Sequence, residues 1–210
     1  MKNNRSRGVA MIEFAFAMLV LVPMLLGTVG IGFQLIQSMQ TTQLARDAGR
    51  MYARGLDFGQ VGNQRILATL GRDVGLHTDG TGDAVLMLST VKYIDNIICP
   101  AANCTNYQHW VFAQRIVIGR PGYRASNLVP AGTTVPVDSS GNVTLADQKG
   151  NTYAQALFSN IGNPFVNAGV DKAADQLPSG TVLYVTEAAS KGFTMPPFAN
   201  GGVMYAYNVF

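Results

Sequence analysis

Side chains that could carry out catalysis are few in this 210-residue chain, and they are scattered along it. The two histidines, His77 and His109, lack the neighbouring ligands that a metal site requires. Asp171 and Asp175 are four residues apart and would share one face of a helix. Two solvated acids on a helix can have the same spacing, so it does not indicate a site. The sequence has no nucleophile-elbow serine, no phosphate-binding glycine loop and no His-Glu-x-x-His motif. These patterns predict a protein that is not an enzyme and has no metal ion or cofactor.

Glu13 is the carboxylate whose position is most informative, because it is the only charge in the otherwise apolar residues 9–33. A carboxylate near the start of a membrane helix is costly unless it reaches the headgroups or finds a partner. One interpretation is that the side chain of Glu13 extends to the headgroups. The other is that Glu13 binds a positive charge on a neighbouring subunit, such as a free amino terminus.

The apolar stretch is long enough to cross a membrane. A helix rises about 1.5 Å per residue, so residues 9–33 span about 37 Å, whereas a bilayer hydrocarbon core is about 30 Å thick. Lys2, Arg5 and Arg7 precede the stretch with no acid among them, which predicts a cytoplasmic N-terminus. A secretory signal peptide, cut near residues 28–30, is an alternative. Its apolar core is usually shorter and would not contain Glu13.

Three residues within or near the predicted span should affect how it bends and packs. Pro23 removes a backbone hydrogen bond and predicts a kink. Gly27 and Gly30 would allow a neighbouring helix to approach closely. The alternative is that these glycines only loosen the helix.

The helix is predicted to continue beyond the membrane through residues 34–55 and to end near Gly55, because apolar residues keep a helical spacing there. Arg46, Arg50 and Arg54 recur every four residues and so share one face of this extension. They form either a solvated stripe or a surface that contacts lipid phosphates or an acidic partner.

The charge balance argues against nucleic-acid binding. The formal net charge is +3, and the first eight residues alone contribute three positive charges. The other 12 basic residues are matched by 12 acidic ones, so the rest of the chain is neutral. A strongly basic surface, as nucleic-acid binding requires, is therefore not expected.

Cys99 and Cys104 are the only cysteines, and they lie close together around Pro100. If this part of the chain is outside the cytoplasm, a disulfide between them is permitted. A loop this short would stabilise the fold by roughly 2 kcal/mol in the chain-entropy model. We predict the disulfide, and the alternative is two reduced thiols.

Residues 56–210 are predicted to form one α+β domain. A second helix is expected at about 58–71, with Val61, Ile66, Leu67 and Leu70 on its buried side. Runs rich in β-branched and aromatic residues predict four strands, at 84–94, 110–118, 181–188 and 203–210. The first two strands should form a hairpin with the cysteines in its long loop.

The segment between the second and third strands is rich in turn-forming residues. Residues 121–150 predict a long surface excursion with a short strand pair at 133–137 and 142–145. Short helices are expected at 153–161 and 165–177. The fold class is therefore α+β, with the long N-terminal helix lying on a largely antiparallel sheet.

The first quarter of the chain resembles a known family. Gly8, four apolar residues and then Glu13-Phe14 resemble the cleavage site of type IV prepilins. The continuation, with Pro23 and the Ala-Arg-rich 40–50 segment, resembles the TadE-like minor pilins of tight-adherence (Tad, or Flp) pili. The resemblance implies that residues 1–8 are a leader, that a prepilin peptidase cuts between Gly8 and Val9, and that Glu13 and Phe14 act in assembly.

The resemblance also implies partners and a location. The partners would be the prepilin peptidase, the major Flp-type pilin, other minor pilins, the inner-membrane assembly platform and the membrane itself. The protein would lie in a bacterial inner membrane with a periplasmic C-terminal domain, or in the extracellular pilus, and would act in assembly, initiation or adhesion. A single-pass envelope protein that binds a ligand without entering a filament, and a secreted enzyme, are the alternatives.

Overall fold

The structure, a computed structural model, describes residues 5–100, 103–158 and 179–210, with side chains from residue 9 onward. The predicted helix at 165–177, with Asp171 and Asp175, lies outside the described residues. The regular elements, in chain order, are α1 Arg5–Ala53, α2 Val61–Leu70, β1 Ala84–Tyr93, β2 Trp110–Gly119, α3 Leu145–Gly150, β3 Val182–Lys191 and β4 Val203–Val209.

Helix α1 is continuous from the predicted leader through the predicted span and its extension. It runs through Pro23, and a kink there stays a prediction. It ends where predicted, because Gly55 adopts a left-handed conformation at φ 87°. The amides of Gly55 and Leu56 donate to the carbonyls of Tyr52 and Met51, at 2.9 and 3.2 Å. This pattern is a Schellman motif, and it satisfies carbonyls that the helix end would leave free.

The four strands form one antiparallel sheet in the order β2-β1-β3-β4. The predicted β1–β2 hairpin is confirmed, and a bulge interrupts its register between Thr90 and Val91. Strand β3 pairs with the other edge of β1, and β4 completes a second hairpin with β3. The described structure thus confirms the α+β class, with a long apolar helix followed by a mainly antiparallel sheet.

The C-terminal half of α1 covers one face of this sheet. Leu44, Ala45, Ala48 and Tyr52 are buried against apolar residues of all four strands. Gly49 allows the closest approach, because a Cβ atom there would lie 2.8 Å from Oγ1 of Thr186. Small side chains on this face of α1 therefore let the helix backbone pack directly on the sheet.

The opposite face of the sheet is covered by the segment that follows β2. Leu128, Val135 and Val143 from this segment are buried against Trp110 and Phe112. The predicted surface excursion is therefore partly wrong, because its apolar residues form a third layer of the domain. The short strand pair within it does not form: Asn142 bridges to Gln114 of β2, and α3 begins at Leu145.

Two helix predictions need correction. Helix α2 exists but is shorter than predicted, and of its expected buried residues only Leu67 is buried. Val61, Ile66 and Leu70 are exposed, because Phe58, just before α2, fills the core instead. Residues 152–154 form only a 3-10 turn rather than the start of an α-helix, since the chain then extends to bridge β2 at Val111.

Candidate functional site

The N-terminal half of α1 is the most unusual surface of the described structure. It contains an 18-residue window of mean hydropathy 2.4, none of which is buried, and its length and composition would let it cross a membrane. Its apolar side chains point outward on every side, as Phe14, Phe16 and Leu19 do at 62%, 68% and 70% exposure. Soluble surfaces rarely expose a continuous apolar area of this size, so the helix needs a covering environment.

The predicted cleavage site lies at the beginning of this surface. Gly8 and Val9 fall in the first turns of α1. Glycine is a poor helix former, so the backbone at Gly8 is easier to extend than its neighbours are. A protease that binds its substrate as an extended chain would therefore unfold the helix most easily at Gly8.

Glu13 has no intramolecular partner that the structure describes. None of the described side chains forms an ion pair or hydrogen bond with it. Phe14, beside it, is exposed as well. A carboxylate in this apolar surface is therefore available to a group from outside the described chain, which agrees with either interpretation of Glu13.

The two glycines predicted to admit a neighbouring helix differ in their surroundings. A Cβ atom at Gly27 would meet nothing within 4 Å, so this position remains open. A Cβ atom at Gly30 would lie 3.4 Å from the Cβ of Ala199. The chain's own β3–β4 loop lies against Gly30 in this structure, and the approach of a neighbouring helix at either glycine stays a prediction.

The three arginines of the helix extension are exposed on α1 and its C-cap, as their spacing predicts. Within the described ranges none of them forms an ion pair. Arg46 is 13 residues beyond Phe33, the end of the apolar stretch, which corresponds to about 20 Å along the helix. If residues 9–33 span a bilayer, this separation argues against contact with lipid phosphates, and the solvated stripe and the acidic partner both stay predictions.

Cys99 and Cys104 are buried free thiols in the structure, not the predicted disulfide. The thiol of Cys104 donates to the carbonyl of Lys149 at 3.3 Å. Burial and the neighbouring Cys99 thiol raise the pKa of Cys104 to about 11, so it is protonated at neutral pH. The two thiols lie beside each other, and the disulfide stays a prediction for oxidising conditions.

A buried carboxylate that sequence reasoning missed organises the other face of the sheet. Glu187 of β3 is fully buried and accepts hydrogen bonds from the Ser126 hydroxyl, from the Asn127 amide at 2.8 Å and from the Tyr205 hydroxyl at 2.6 Å. It therefore ties the covering segment to the edge strand β4. The only sign in the sequence was a Glu within an otherwise apolar and small-residue strand.

Arg115 and Tyr205 are electrostatically coupled to Glu187. Burial lowers the pKa of Arg115, and the negative charge of Glu187 opposes that shift. The pKa of Tyr205 is raised well above its usual value, first by burial and then by the Glu187 charge. Arg124 stacks on the Tyr205 ring, with Cζ 3.9 Å from the ring centroid. The contacts of Glu187, Tyr205 and Arg124 are thus accounted for by packing within the domain, without a catalytic role.

No other cluster among the described residues suggests chemistry. His77 lies near Thr81 in an exposed turn, with Nδ1 3.3 Å from the threonine hydroxyl. His109 lies in the β1–β2 connection, and its backbone pairs with Asn106 and Ile94. Groups of three or more His, Cys, Asp or Glu that could hold a metal ion do not occur in the described part of the chain.

Comparison with protein families gives one match. Residues 8–50 match the family model described as "TadE-like protein". The match begins at Gly8 and ends on the last exposed turn of α1, so it covers both the apolar surface and most of the part that packs on the sheet. It confirms the resemblance that the sequence indicated and identifies a Tad pilus-associated segment. Comparisons with curated proteins and with solved structures found no match.

Proposed function

We propose that this protein is a minor pilin of a Tad, or Flp-type, pilus and has no enzymatic role. The observation that carries this proposal is that residues 8–50 match the TadE-like family while the first part of the same helix exposes an apolar surface on all sides. A bilayer can cover that surface before assembly, and the helices of other pilins can cover it afterwards.

In this proposal the protein is first inserted into the inner membrane of a bacterium. Residues 9–33 span the bilayer with the basic leader in the cytoplasm, and residues 56–210 form the periplasmic domain. A prepilin peptidase removes residues 1–8 by cutting after Gly8. The mature chain then meets the assembly platform, the major Flp-type pilin and other minor pilins, and the exposed arginines of α1 offer a surface for an acidic partner.

Glu13 has a specific role in this proposal. Cutting after Gly8 creates a positively charged amine on Val9, near the membrane. A neighbouring subunit shifted along the helix axis can bring that amine to Glu13. Burying the two charges together costs less than burying either alone, so the pair sets the axial register between subunits more than it adds stability.

The periplasmic domain fits a specialised position in the filament. The major pilins of such systems are small, whereas this chain adds to its helix a four-stranded sheet and the segment that covers it. A head of this size is easiest to place at a tip or a base, where it would serve initiation or adhesion.

The experiment that tests the proposal is direct. The protein is purified from cells with an active prepilin peptidase, and its intact mass and N-terminal sequence are measured. We expect the chain to begin at Val9. Gly8→Leu should keep the leader, because a bulky side chain blocks an extended backbone from entering the peptidase. Gly8→Ala is the matched control and should still be cut.

Two results would contradict the proposal. One is an intact leader on the wild-type chain in cells whose peptidase cuts another prepilin. The other is normal piliation in a strain from which this protein has been deleted. An uncut but membrane-bound chain would indicate a single-pass envelope protein instead.

A further inference from the structure

The loop between β3 and β4, residues 192–202, is an apolar projection at one end of the sheet. It contains no Asp, Glu, Lys, Arg or His. Pro196, Pro197 and Phe198 at its tip are exposed, and Phe198 is 37% exposed. Charged side chains begin directly behind it, where Lys191 forms a half-exposed ion pair with Asp83 at 3.7 Å. The loop therefore has a sharp boundary between an apolar tip and a charged base.

The direction of β3 determines where this loop lies. Thr41 of α1 is hydrogen-bonded to Ser190 near the end of β3, with the two hydroxyl oxygens 2.6 Å apart. Tyr52, eleven residues later on α1, packs on Tyr184 near the beginning of β3, with ring centroids 5.3 Å apart. Strand β3 thus runs antiparallel to α1, and the loop after it points back toward the apolar half of the helix.

The loop is fixed against that half of α1. The rings of Phe33 and Phe193 pack with centroids 4.9 Å apart. Ala199 and Met195 lie against Gly30, at 3.4 and 3.6 Å from the position of a Cβ atom there. These contacts fix the position of the loop along the α1 axis, at the level of Gly30 and Phe33.

That depth coincides with the outer boundary of a bilayer. Measured from Val9, the Gly30 and Phe33 contacts lie about 32 and 36 Å along the helix. A hydrocarbon core of about 30 Å that begins at Val9 ends just before them. A tip held at this level meets the region where aromatic side chains are favoured.

The backbone of the tip is also suited to an apolar environment. Proline has no amide hydrogen, so Pro196 and Pro197 present no unpaired donor. The amides of Phe198 and Ala199 both donate to the Met195 carbonyl at 2.8 Å, and the Met195 amide donates to the Ala199 carbonyl at 2.8 Å. Lipid tolerates backbone only where its donors are satisfied internally, and this turn meets that requirement for its donors.

We propose that the β3–β4 loop is a second membrane contact, which inserts its Pro-Pro-Phe tip into the outer leaflet of the bilayer that α1 spans. This inference rests on the proposed membrane insertion of α1. The partner is a phospholipid interface, bound through apolar side chains rather than through charge. With α1 and the loop both in the bilayer, the tilt of the domain relative to the membrane plane is restricted before assembly.

Tryptophan quenching by brominated lipid tests the contact in the full-length chain. The protein is reconstituted into phosphatidylcholine vesicles with and without bromine on the acyl chains, and indole fluorescence is compared. The native Trp110 is fully buried and provides a constant background. Phe198→Trp reports on the loop, and Phe16→Trp reports on the span. Tyr153→Trp is the matched control, because Tyr153 is exposed near the start of β2, at the far end of the sheet.

We expect strong quenching of Phe16→Trp, about half as much for Phe198→Trp because the interface is shallower, and none for Tyr153→Trp or wild type. Quenching at Phe16 without quenching at Phe198 would overturn the loop proposal and leave the span intact. Absence of quenching at both would overturn membrane insertion and the loop contact together. A blue-shifted, unquenched Phe198→Trp would place the tip against protein, from its own chain or a second copy, and would likewise overturn the loop proposal.

Discussion

The two halves of α1 share one continuous helix and have opposite surroundings. In the first half the apolar side chains are exposed on every side, and the charge of Glu13 has no partner among the described side chains. In the second half a narrow face of small and apolar residues is buried on the sheet. The first half therefore depends on a partner outside the chain, whereas the second packs within the domain.

Two carboxylates show the same contrast. Glu187 is buried in the domain and accepts hydrogen bonds from Ser126, Asn127 and Tyr205. Glu13 lies in the exposed apolar half and pairs with none of the described side chains. Substitution of Glu187 should therefore affect folding, and substitution of Glu13 should affect assembly.

The largest expected effect is at Glu13. Glu13→Val should still insert and still be cut after Gly8, but it should abolish piliation where it is the only copy, because the charge that sets the register is lost. Glu13→Gln should be intermediate at best, since it keeps hydrogen bonding without the charge. The measurements are intact mass and microscopy of pili for the same strains. Ile12→Val is the matched control and should form normal pili. Normal pili with Glu13→Val would remove the register role.

The second effect is on folding. Glu187→Ala removes the acceptor shared by the buried Ser126 hydroxyl and two half-buried donors, and should lower the free energy of unfolding by about 3–5 kcal/mol. Glu187→Gln keeps one of the two acceptor oxygens and should cost less. Urea unfolding in detergent, followed by Trp110 fluorescence, measures both. Glu13→Ala should leave this free energy unchanged, and a comparable loss in the two alanine variants would break the distinction between the two carboxylates.

Glycine substitutions compare the halves of α1 directly. A Cβ atom at Gly49 would overlap the ring of Phe210 and crowd Thr186, so Gly49→Ala should destabilise the domain by about 1–3 kcal/mol. A Cβ atom at Gly32 would meet nothing within 4 Å, so Gly32→Ala should be neutral or gain up to about 1 kcal/mol from helix propensity. The midpoints of thermal unfolding of the two variants, measured in the same detergent, test this difference. Equal shifts would mean that α1 does not pack closely on the sheet.

The smallest expected effect is at Tyr52, in the buried half. Its hydroxyl pairs with Thr90 at 2.6 Å and donates to Gln114 at 2.8 Å, and Tyr52→Phe should cost about 1 kcal/mol. Burial raises the pKa of Tyr52 to about 12, although the hydrogen bond with Thr90 opposes this shift.

The sign of the pH dependence at Tyr52 follows from that pKa. Between pH 10 and 12 the unfolded tyrosine loses its proton while the folded one keeps it. The folded state then binds more protons, so stability falls as the pH rises. Unfolding at a series of pH values should show a shallower alkaline loss for Tyr52→Phe than for wild type. Parallel curves would show that Tyr52 does not contribute.

Much of the architecture could be predicted from the sequence, because its signals are local. The apolar stretch, the helical spacing beyond it and Gly55 predicted α1 to its last turn. Runs of β-branched and aromatic residues predicted all four strands within a few residues. The Gly8-to-Glu13 pattern with its continuation predicted the family match at residues 8–50.

Tertiary structure decided the features that depend on partners distant in sequence. Residues 121–150 have the composition of a surface loop, yet Leu128 and Val143 are buried because the second face of the sheet needs a cover. Helix α2 turns most of its apolar residues outward because Phe58 already fills the core. Glu187 finds its donors on a loop and on β4, and Gly30 meets Ala199, far away along the chain. Periodicity identifies the elements of this protein, but which faces meet is determined only when the sheet order brings them together.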